Sequence, residues 1–307
     1  VKVPIIFQSY RSETPTSGFW DYIIIEDLIS GRLGRPVTGY EFVRYEGVNC
    51  PIPIGTDVAI IVLAARHHAD PIYSDRLNKD MASLRGVALF LLGDEENAFP
   101  VHLIHHPNIR IWRMMARPDS PFVHHCLPNG YTPHTHLLDS YDVAAVDRPL
   151  DWFLAGQITH LRREQCVEQL RRIPGGMRVE TDGFTKGLPP AEYMRMLASA
   201  KIAPCPSGPQ SPDTFRLYEA LEAGCVPIAD AQTSKPGFPN GYWQWIFGCE
   251  VPFPVVSDWA TLPEVMAREL AAWPENQRRI AEWWRQYKQK LALDLEEDIQ
   301  QLQGATQ

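Results

Sequence analysis

The sequence predicts an α/β protein of two successive parallel-sheet domains with a helical tail, and three observations predict it. Short runs of Val, Ile and Leu without polar alternation recur early, at VPIIF (3–7), DVAIIVLAA (57–65) and GVALFLLG (86–93). Strands covered on both faces have this composition. From 151 to 230, strand-like and helix-like segments then alternate strictly, the pattern of stacked βαβ units. Beyond 261 the apolar residues recur at helical spacing.

The elements follow in order. After the first run, DYIIIEDLISGRLG places Ile24, Leu28 and Ile29 at helical spacing, and Gly31 and Gly34 close the helix. The stretch 118–150 is rich in Pro and His and has no long periodic segment, so a boundary is expected near 147–150. The second series reads DWFLAG as strand, EQCVEQLRRI as helix, MRVETDG as strand, PAEYMRMLASA as helix, KIAPCPSG as strand, TFRLYEALEAG as helix and VPIAD as strand. In the tail, Trp284, Tyr287, Leu291 and Leu295 form an amphipathic stripe, with Trp283 and Trp284 expected to pack rather than to stack on a ligand. The expected domains are therefore 1–148, 149–260 and a helical segment 261–307.

Composition limits the function classes. The 307 residues are 45% hydrophobic and 21% charged, which excludes a disordered chain and allows two cores. A net charge of −8 disfavours a uniformly basic nucleic-acid groove, although Arg32, Arg35, Arg44 and Arg66 could make a local patch. The six cysteines are scattered without a C-x-x-C pair, which predicts reduced thiols and a cytoplasmic protein. The opening VKVPIIFQSYRS is too short an apolar run for a signal-peptide core, and no segment is long enough for a membrane span.

Residues 203–230, APCPSGPQSPDTFRLYEALEAGCVPIAD, carry the clearest chemistry. A strand runs into a Pro/Ser/Gly turn, Asp213 is the expected N-cap, and a helix runs from about Thr214 to Ala223 before Gly224 stops it. Such a loop presents backbone N–H groups at the carboxyl edge of a parallel sheet, where anions such as a diphosphate bind. On that helix Leu217, Ala220 and Leu221 share an apolar side, while Arg216 and Glu219 lie opposite, three residues apart. A guanidinium can pair with phosphate oxygens and a carboxylate can accept both hydrogen bonds of a ribose diol; an exposed ion pair fits the same spacing.

The ordered stretch SPDTFRLYEALEAGCVPIA (211–229) resembles the donor-binding motif of the exostosin-like glycosyltransferases and, more loosely, of GT-B glycosyltransferases. DWFLAGQITHLRR (151–163) is similar to the strand end and arginine that open the same domain. The resemblance covers about residues 151–235. It implies two Rossmann-like domains with sheets facing across a cleft, and sugar transfer from a nucleotide diphosphate sugar to an acceptor hydroxyl. It also implies Glu219 on the nucleotide ribose; Ser211, Thr214 and Arg216 at the diphosphate; and Gly156 at a close turn, with Arg162 or Arg163 neutralising phosphate. The donor is then a substrate, with no cofactor and no metal. In the first domain GFWDYIIIEDLISGRLG is similar to the opening helix of GT-B-like polysaccharide-modifying enzymes, among them pyruvyltransferases, with Phe19 and Trp20 between Gly18 and Asp21.

Inverting transfer needs a base for the acceptor hydroxyl. Asp21, near the start of the first helix, is the first choice and Asp94 the second, because both lie where a parallel sheet usually presents its site; Glu95, just past GVALFLLG, and His67 and His68, just past DVAIIVLAA, are the other candidates. The pairs His67–His68, His105–His106 and His124–His125, with His134 and His136, lack metal-ligand spacing. The acceptor is expected to be a polysaccharide, a lipid-linked sugar or a small molecule. A hydroxymethylated base in DNA, as for some phage enzymes, and a non-catalytic GT-B-like binding protein are the alternatives.

Overall fold

Uninterrupted Val/Ile/Leu runs become central strands because both of their faces are covered, and each sheet grows from such strands. The computed structural model describes residues 1–9, 20–48, 50–118, 120, 123–140, 143, 147–183, 186–235 and 240–304. Contacts divide the chain into two units, Val1–Asn129 with Gln286–Gln307, and Gly130–Arg285.

The first unit contains β1 (Lys2–Ser9), α1 (Ile23–Ser30), β2 (Glu41–Val48), β3 (Val58–Ala64), α2 (Pro71–Met81), β4 (Gly86–Leu92), β5 (Ile109–Met114) and β6 (His125–Leu127). Its sheet has the order β2-β1-β3-β4-β5-β6, and every pairing is parallel. β3 and β4 are buried along their whole length. Ile61, Leu63, Leu89, Leu91 and Ile111 pack with Leu77 and Met81 of α2 into one core. Helix α1 ends where Gly31 turns left-handed at φ 83°, as its sequence requires. No strand is expected from the sequence at β2, because Glu41, Arg44 and Glu46 break its apolar character; as an edge strand it tolerates them.

The second unit contains β7 (Leu150–Gly156), α3 (Leu161–Leu170), β8 (Gly176–Glu180), α4 (Pro190–Ala198), β9 (Ala200–Cys205), α5 (Phe215–Glu222), β10 (Val226–Asp230), α6 (Tyr242–Phe247), β11 (Val255–Val256) and α7 (Leu262–Ala271). Its sheet runs β11-β10-β9-β7-β8, again parallel throughout. The strict alternation read from the sequence is present element for element. The last helix, α8 (Glu275–Gly304), starts in the second unit and continues in the first.

These divisions differ from the boundaries expected at 148 and 261. Described residues before position 149 pack with the second sheet: the 3-10 segment Pro133–Ser140 lies against α4, and the Arg148 guanidinium donates to the carbonyls of Ala200 at 2.7 Å and Ala223 at 2.8 Å. Downstream, residues 286–304 join the first sheet. There Trp112 Nε1 donates to Asp298 Oδ2 at 2.8 Å, and Arg35 pairs with Glu296 at 2.7 Å. Trp284 is buried against Tyr218 and Phe247, so the tryptophan pair packs as expected.

Candidate functional site

Four strands of the second sheet deliver loops to its carboxyl edge, and the polar side chains gathered there are tied to one another. β7 ends at Gly156 with φ +148°, and a Cβ added there would lie 2.2 Å from Arg216 Nη2. The glycine therefore makes room for a guanidinium. Arg216 donates to the Ala155 carbonyl through Nε at 3.2 Å and Nη2 at 2.7 Å. Arg163 clamps the loops after β7 and β9, donating to the carbonyls of Gln157 at 3.1 Å and Ser207 at 3.2 Å.

Arg162 has a different position from the one expected. Its side chain turns to Asp230 at the end of β10, with Nε on Oδ2 at 3.1 Å and Nη2 on Oδ1. Asp230 is fully buried and also accepts from Ser207 N at 3.2 Å, Trp259 Nε1 at 2.9 Å and Gln232 N at 3.1 Å. An arginine spent on an interior carboxylate is a counterion of the fold, whereas the bonds given above for Arg163 and Arg216 go to backbone carbonyls.

The loop between β9 and α5 is compact. Gly208 N donates to the Ser211 carbonyl at 2.9 Å, Ser211 Oγ accepts from Asp213 N at 3.1 Å, and Tyr242 donates to Asp213 Oδ2 at 3.0 Å. Thr214, not Asp213, occupies the N-cap position, with extended φ −138° and ψ 147°, and its side chain makes no capping bond. Among the described residues, Thr214 Oγ1 and Ser207 Oγ are buried atoms without a hydrogen-bond partner, and Ser207 is fully buried. Buried hydroxyls are ordinarily satisfied, so two orphans beside a helix start and two guanidiniums suit a ligand rich in acceptor oxygens.

Glu219 lies one turn further along α5. It is 6% exposed and forms no ion pair among the described residues. Oε1 accepts from Thr132 Oγ1 and Oε2 from Tyr193 OH, both at 2.7 Å. Burial, and then the Glu219 charge, push the Tyr193 phenol well above its ordinary pKa, so it stays a donor. The exposed Arg216–Glu219 pair that the spacing allows is not formed: each side chain has other partners. Burial also raises the thiols of Cys166 and Cys205 under this edge, which keeps them protonated.

In the first unit Asp21 lies in the 3-10 turn Trp20–Tyr22 that leads from β1 into α1. The preceding Gly18 and Phe19 fall outside the described residues. Asp94, just past β4, is 1% exposed, and both its oxygens have partners: Oδ1 accepts from Ala98 N at 2.8 Å, and Oδ2 from Phe99 N at 3.0 Å and Arg113 Nη2 at 2.5 Å. A carboxylate so held organises its loop, and the second choice of base is corrected accordingly. The Glu95 carbonyl accepts from Arg117. His67 is exposed, whereas His68 is buried, with Nδ1 2.9 Å from the Ala64 carbonyl, and burial lowers its pKa from 6.5 to about 4. Other histidines also have fold partners: His106 reaches the Asn108 and Leu84 carbonyls, and His125 Nε2 lies 3.0 Å from Asp298 Oδ2 on α8. Among the described residues no group of three or more His, Cys, Asp or Glu is arranged to hold a metal ion, and no helix is long and apolar enough to cross a membrane.

Sequence reasoning missed Ser207, Asp230, Tyr193, Thr132 and Arg113. Only Asp230 carries a local signal, a carboxylate at the end of the otherwise apolar VPIAD.

The fold and this edge define a class: two parallel-sheet α/β units, the second with a cationic, hydroxyl-rich carboxyl edge. The chain is similar to several known proteins. A family model described as the RXYLT1 C-terminal domain matches residues 185–302. Ribitol-5-phosphate xylosyltransferase 1 of Danio rerio is 24% identical over 273 residues, covering 78% of this chain and 62% of that protein. The chain thus spans about three fifths of that relative's length. Among solved structures, Anabaena Alr3699/HepE in complex with UDP has a TM-score of 0.42 at 10% identity, over 99% of this chain and 98% of that one. The same protein with UDP and glucose has a TM-score of 0.43 at 10% identity, over 96% and 100%.

Proposed function

We propose that this chain is a GT-B-type glycosyltransferase that moves a sugar from a nucleotide diphosphate sugar to an acceptor hydroxyl. The observation that carries the reading is the carboxyl edge of the second sheet. Arg163, Arg216, the start of α5 and the unsatisfied hydroxyls of Ser207 and Thr214 gather there, with the buried carboxylate of Glu219 one turn away. Similarity to a xylosyltransferase supports sugar transfer and favours a pentose as the group moved. The acceptor is a polysaccharide, a lipid-linked sugar or a small molecule.

In this reading the acceptor oxygen attacks the anomeric carbon as the bond from that carbon to the diphosphate oxygen breaks. The nucleoside diphosphate leaves with the electron pair, and its charge is met by Arg216, Arg163 and the α5 N–H groups, with Ser211 shaping the loop. Glu219 holds the ribose, and Gly156 lets Arg216 reach the edge. Such a donor set stabilises the leaving group without a metal, so transfer is expected to survive chelation. Asp21 takes the acceptor proton.

Calorimetric titration of the intact chain with UDP, GDP, ADP and CDP tests the donor site. One of them should bind, and Glu219→Ala should weaken it by roughly ten- to a hundredfold. Unchanged binding in that variant would remove Glu219 from the site. Asp21→Asn should leave the same affinity intact while lowering transfer by about 10²–10⁴, the range of a positioned general base. Full activity would instead make Asp21 a turn residue, because Asn keeps its hydrogen-bonding shape.

A further inference from the structure

Glu219 poses a problem that its proposed role does not answer. A buried carboxylate is costly unless several donors or a cation satisfy it. Glu219 is 6% exposed, and among the described residues it has two hydroxyl donors and no ion pair. Asp94 and Asp230, the comparably buried carboxylates at the ends of β4 and β10, each have an arginine and at least two further donors. An ionised carboxylate has about four lone-pair sites, two on each oxygen. Thr132 takes one on Oε1 and Tyr193 takes one on Oε2, so each oxygen keeps one acceptor position. Two vacant positions on one carboxylate match two adjacent hydroxyl donors.

The two hydroxyls come from separate elements. Tyr193 is on α4, with its ring 6.0 Å from that of Phe153 on β7, and Thr132 begins the segment before β7, where its own carbonyl accepts from Thr135 Oγ1 at 2.9 Å. Each therefore has an anchor outside α5. A glutamate has three side-chain torsions, and bonds from two fixed donors remove that freedom before any ligand arrives.

Resting on the reading of Glu219 as the ribose ligand, we infer that Tyr193 and Thr132 are positioning residues that fix the Glu219 carboxylate with one open acceptor site per oxygen. They thereby set the preference of the donor site for a nucleotide with an intact 2′,3′-cis-diol. Neither touches the ligand in this scheme. Their effect passes through Glu219, and it should appear only when the diol is present.

The test compares the tightest binder of UDP, GDP, ADP and CDP with its 2′,3′-dideoxy counterpart, by calorimetry on the full chain. Wild type should prefer the diol by at least about tenfold, the value of two charge-assisted hydrogen bonds after desolvation. Tyr193→Phe and Thr132→Val should each cut that preference by about three- to tenfold, weakening the ribonucleotide while the dideoxy compound binds as before. Thr132→Ser, which keeps the hydroxyl, should restore it. If either variant weakens both compounds equally, or leaves the preference untouched while only the melting temperature falls, the hydroxyls are structural and the inference is overturned. If Glu219→Gln leaves the wild-type preference unchanged, the ribose assignment itself falls, and the inference with it. Should Tyr193→Phe fold poorly, the Thr132→Val and Thr132→Ser pair decides alone.

Discussion

The two sheets solve the same structural problem with the same device. In each, an aspartate at or just past the end of a buried strand accepts from an arginine brought from elsewhere: Asp94 from Arg113, 19 residues on, and Asp230 from Arg162, 68 residues back. In the first unit the pair closes the turn at 94–99, since Asp94 also accepts from Ala98 N and Phe99 N. In the second it gathers a strand end, the Ser207 loop and the Trp259 indole. The difference lies in what surrounds the pair. The sheet edge that holds Asp230 also carries Arg163, Arg216 and the hydroxyls of Ser207 and Thr214, which have no hydrogen-bond partner among the described residues, whereas next to Asp94 the further guanidinium, Arg117, donates to the Glu95 carbonyl. A charged residue at a strand's carboxyl end thus marks either a loop anchor or a ligand contact, and its partner decides which.

Breaking the pairs should produce the largest effects. Arg113→Met and Arg162→Met each strand a buried carboxylate, which costs about 3–5 kcal/mol of unfolding free energy. Arg113→Met should cost more, because Asp94 keeps two backbone donors while Asp230 keeps Ser207 N, Trp259 Nε1 and Gln232 N. Urea titrations of both variants check the order. A stable Arg162→Met protein that had lost nucleotide affinity would return Arg162 to the phosphates and dissolve the parallel.

Both corrected assignments have this origin. Asp94 and Arg162 carry the right chemistry in the right loops, and the sequence shows each charge without the partner that consumes it. Nothing in GVALFLLGD says that Arg113 of IRIWRM will be buried 2.5 Å from that aspartate. The second fold, by contrast, was nearly all legible, because each βα unit announces itself within about twenty residues through periodicity and its glycines. Strand β2 was not, because its edge position supplies only one neighbour and tolerates charge. The motif singles out Glu219, whose role is a proposal, but not its hydroxyl partners: Thr132 lies 87 residues away and Tyr193 sits among ordinary helix residues.

The two edges also differ in how deeply they bury a histidine, which predicts a smaller effect of pH. His68 is held neutral in the first unit, its pKa lowered from 6.5 to about 4 by burial, whereas the half-buried His160 of the second is lowered by burial and by Arg163. A folded pKa below the unfolded one means that protonation favours unfolding. The associated stability is complete above about pH 6.5 and is lost as the pH falls towards 4, by at most about 1.4 kcal/mol per unit. His68→Gln should flatten that part of the stability profile, and His160→Gln should change it less. The difference between the wild-type and variant curves reads the histidine's contribution. Equal slopes in wild type and His68→Gln would show that His68 titrates freely.

The smallest effects separate two helix starts. Asp70 caps α2 in the usual way, with Oδ1 accepting from Ile72 N at 2.8 Å, while Thr214 holds the same position before α5 and makes no capping bond. If the first helix start serves the fold and the second is left open for an anion, the two substitutions should move different quantities. Asp70→Ala should cost about 1 kcal/mol of stability, the usual loss for a cap, with nucleotide affinity unchanged. Thr214→Val keeps the shape and removes only an unsatisfied hydroxyl, so stability should hold within about 0.5 kcal/mol or rise slightly, because an unpaired buried polar atom is lost. Nucleotide affinity should fall about fivefold, the worth of one neutral hydrogen bond of about 1 kcal/mol. Denaturant midpoints and calorimetric titrations on the two variants give all four numbers. If Thr214→Val lost as much stability as Asp70→Ala and bound nucleotide normally, the α5 start would be an ordinary cap, and the diphosphate would have to rest on Arg163, Arg216 and Ser207.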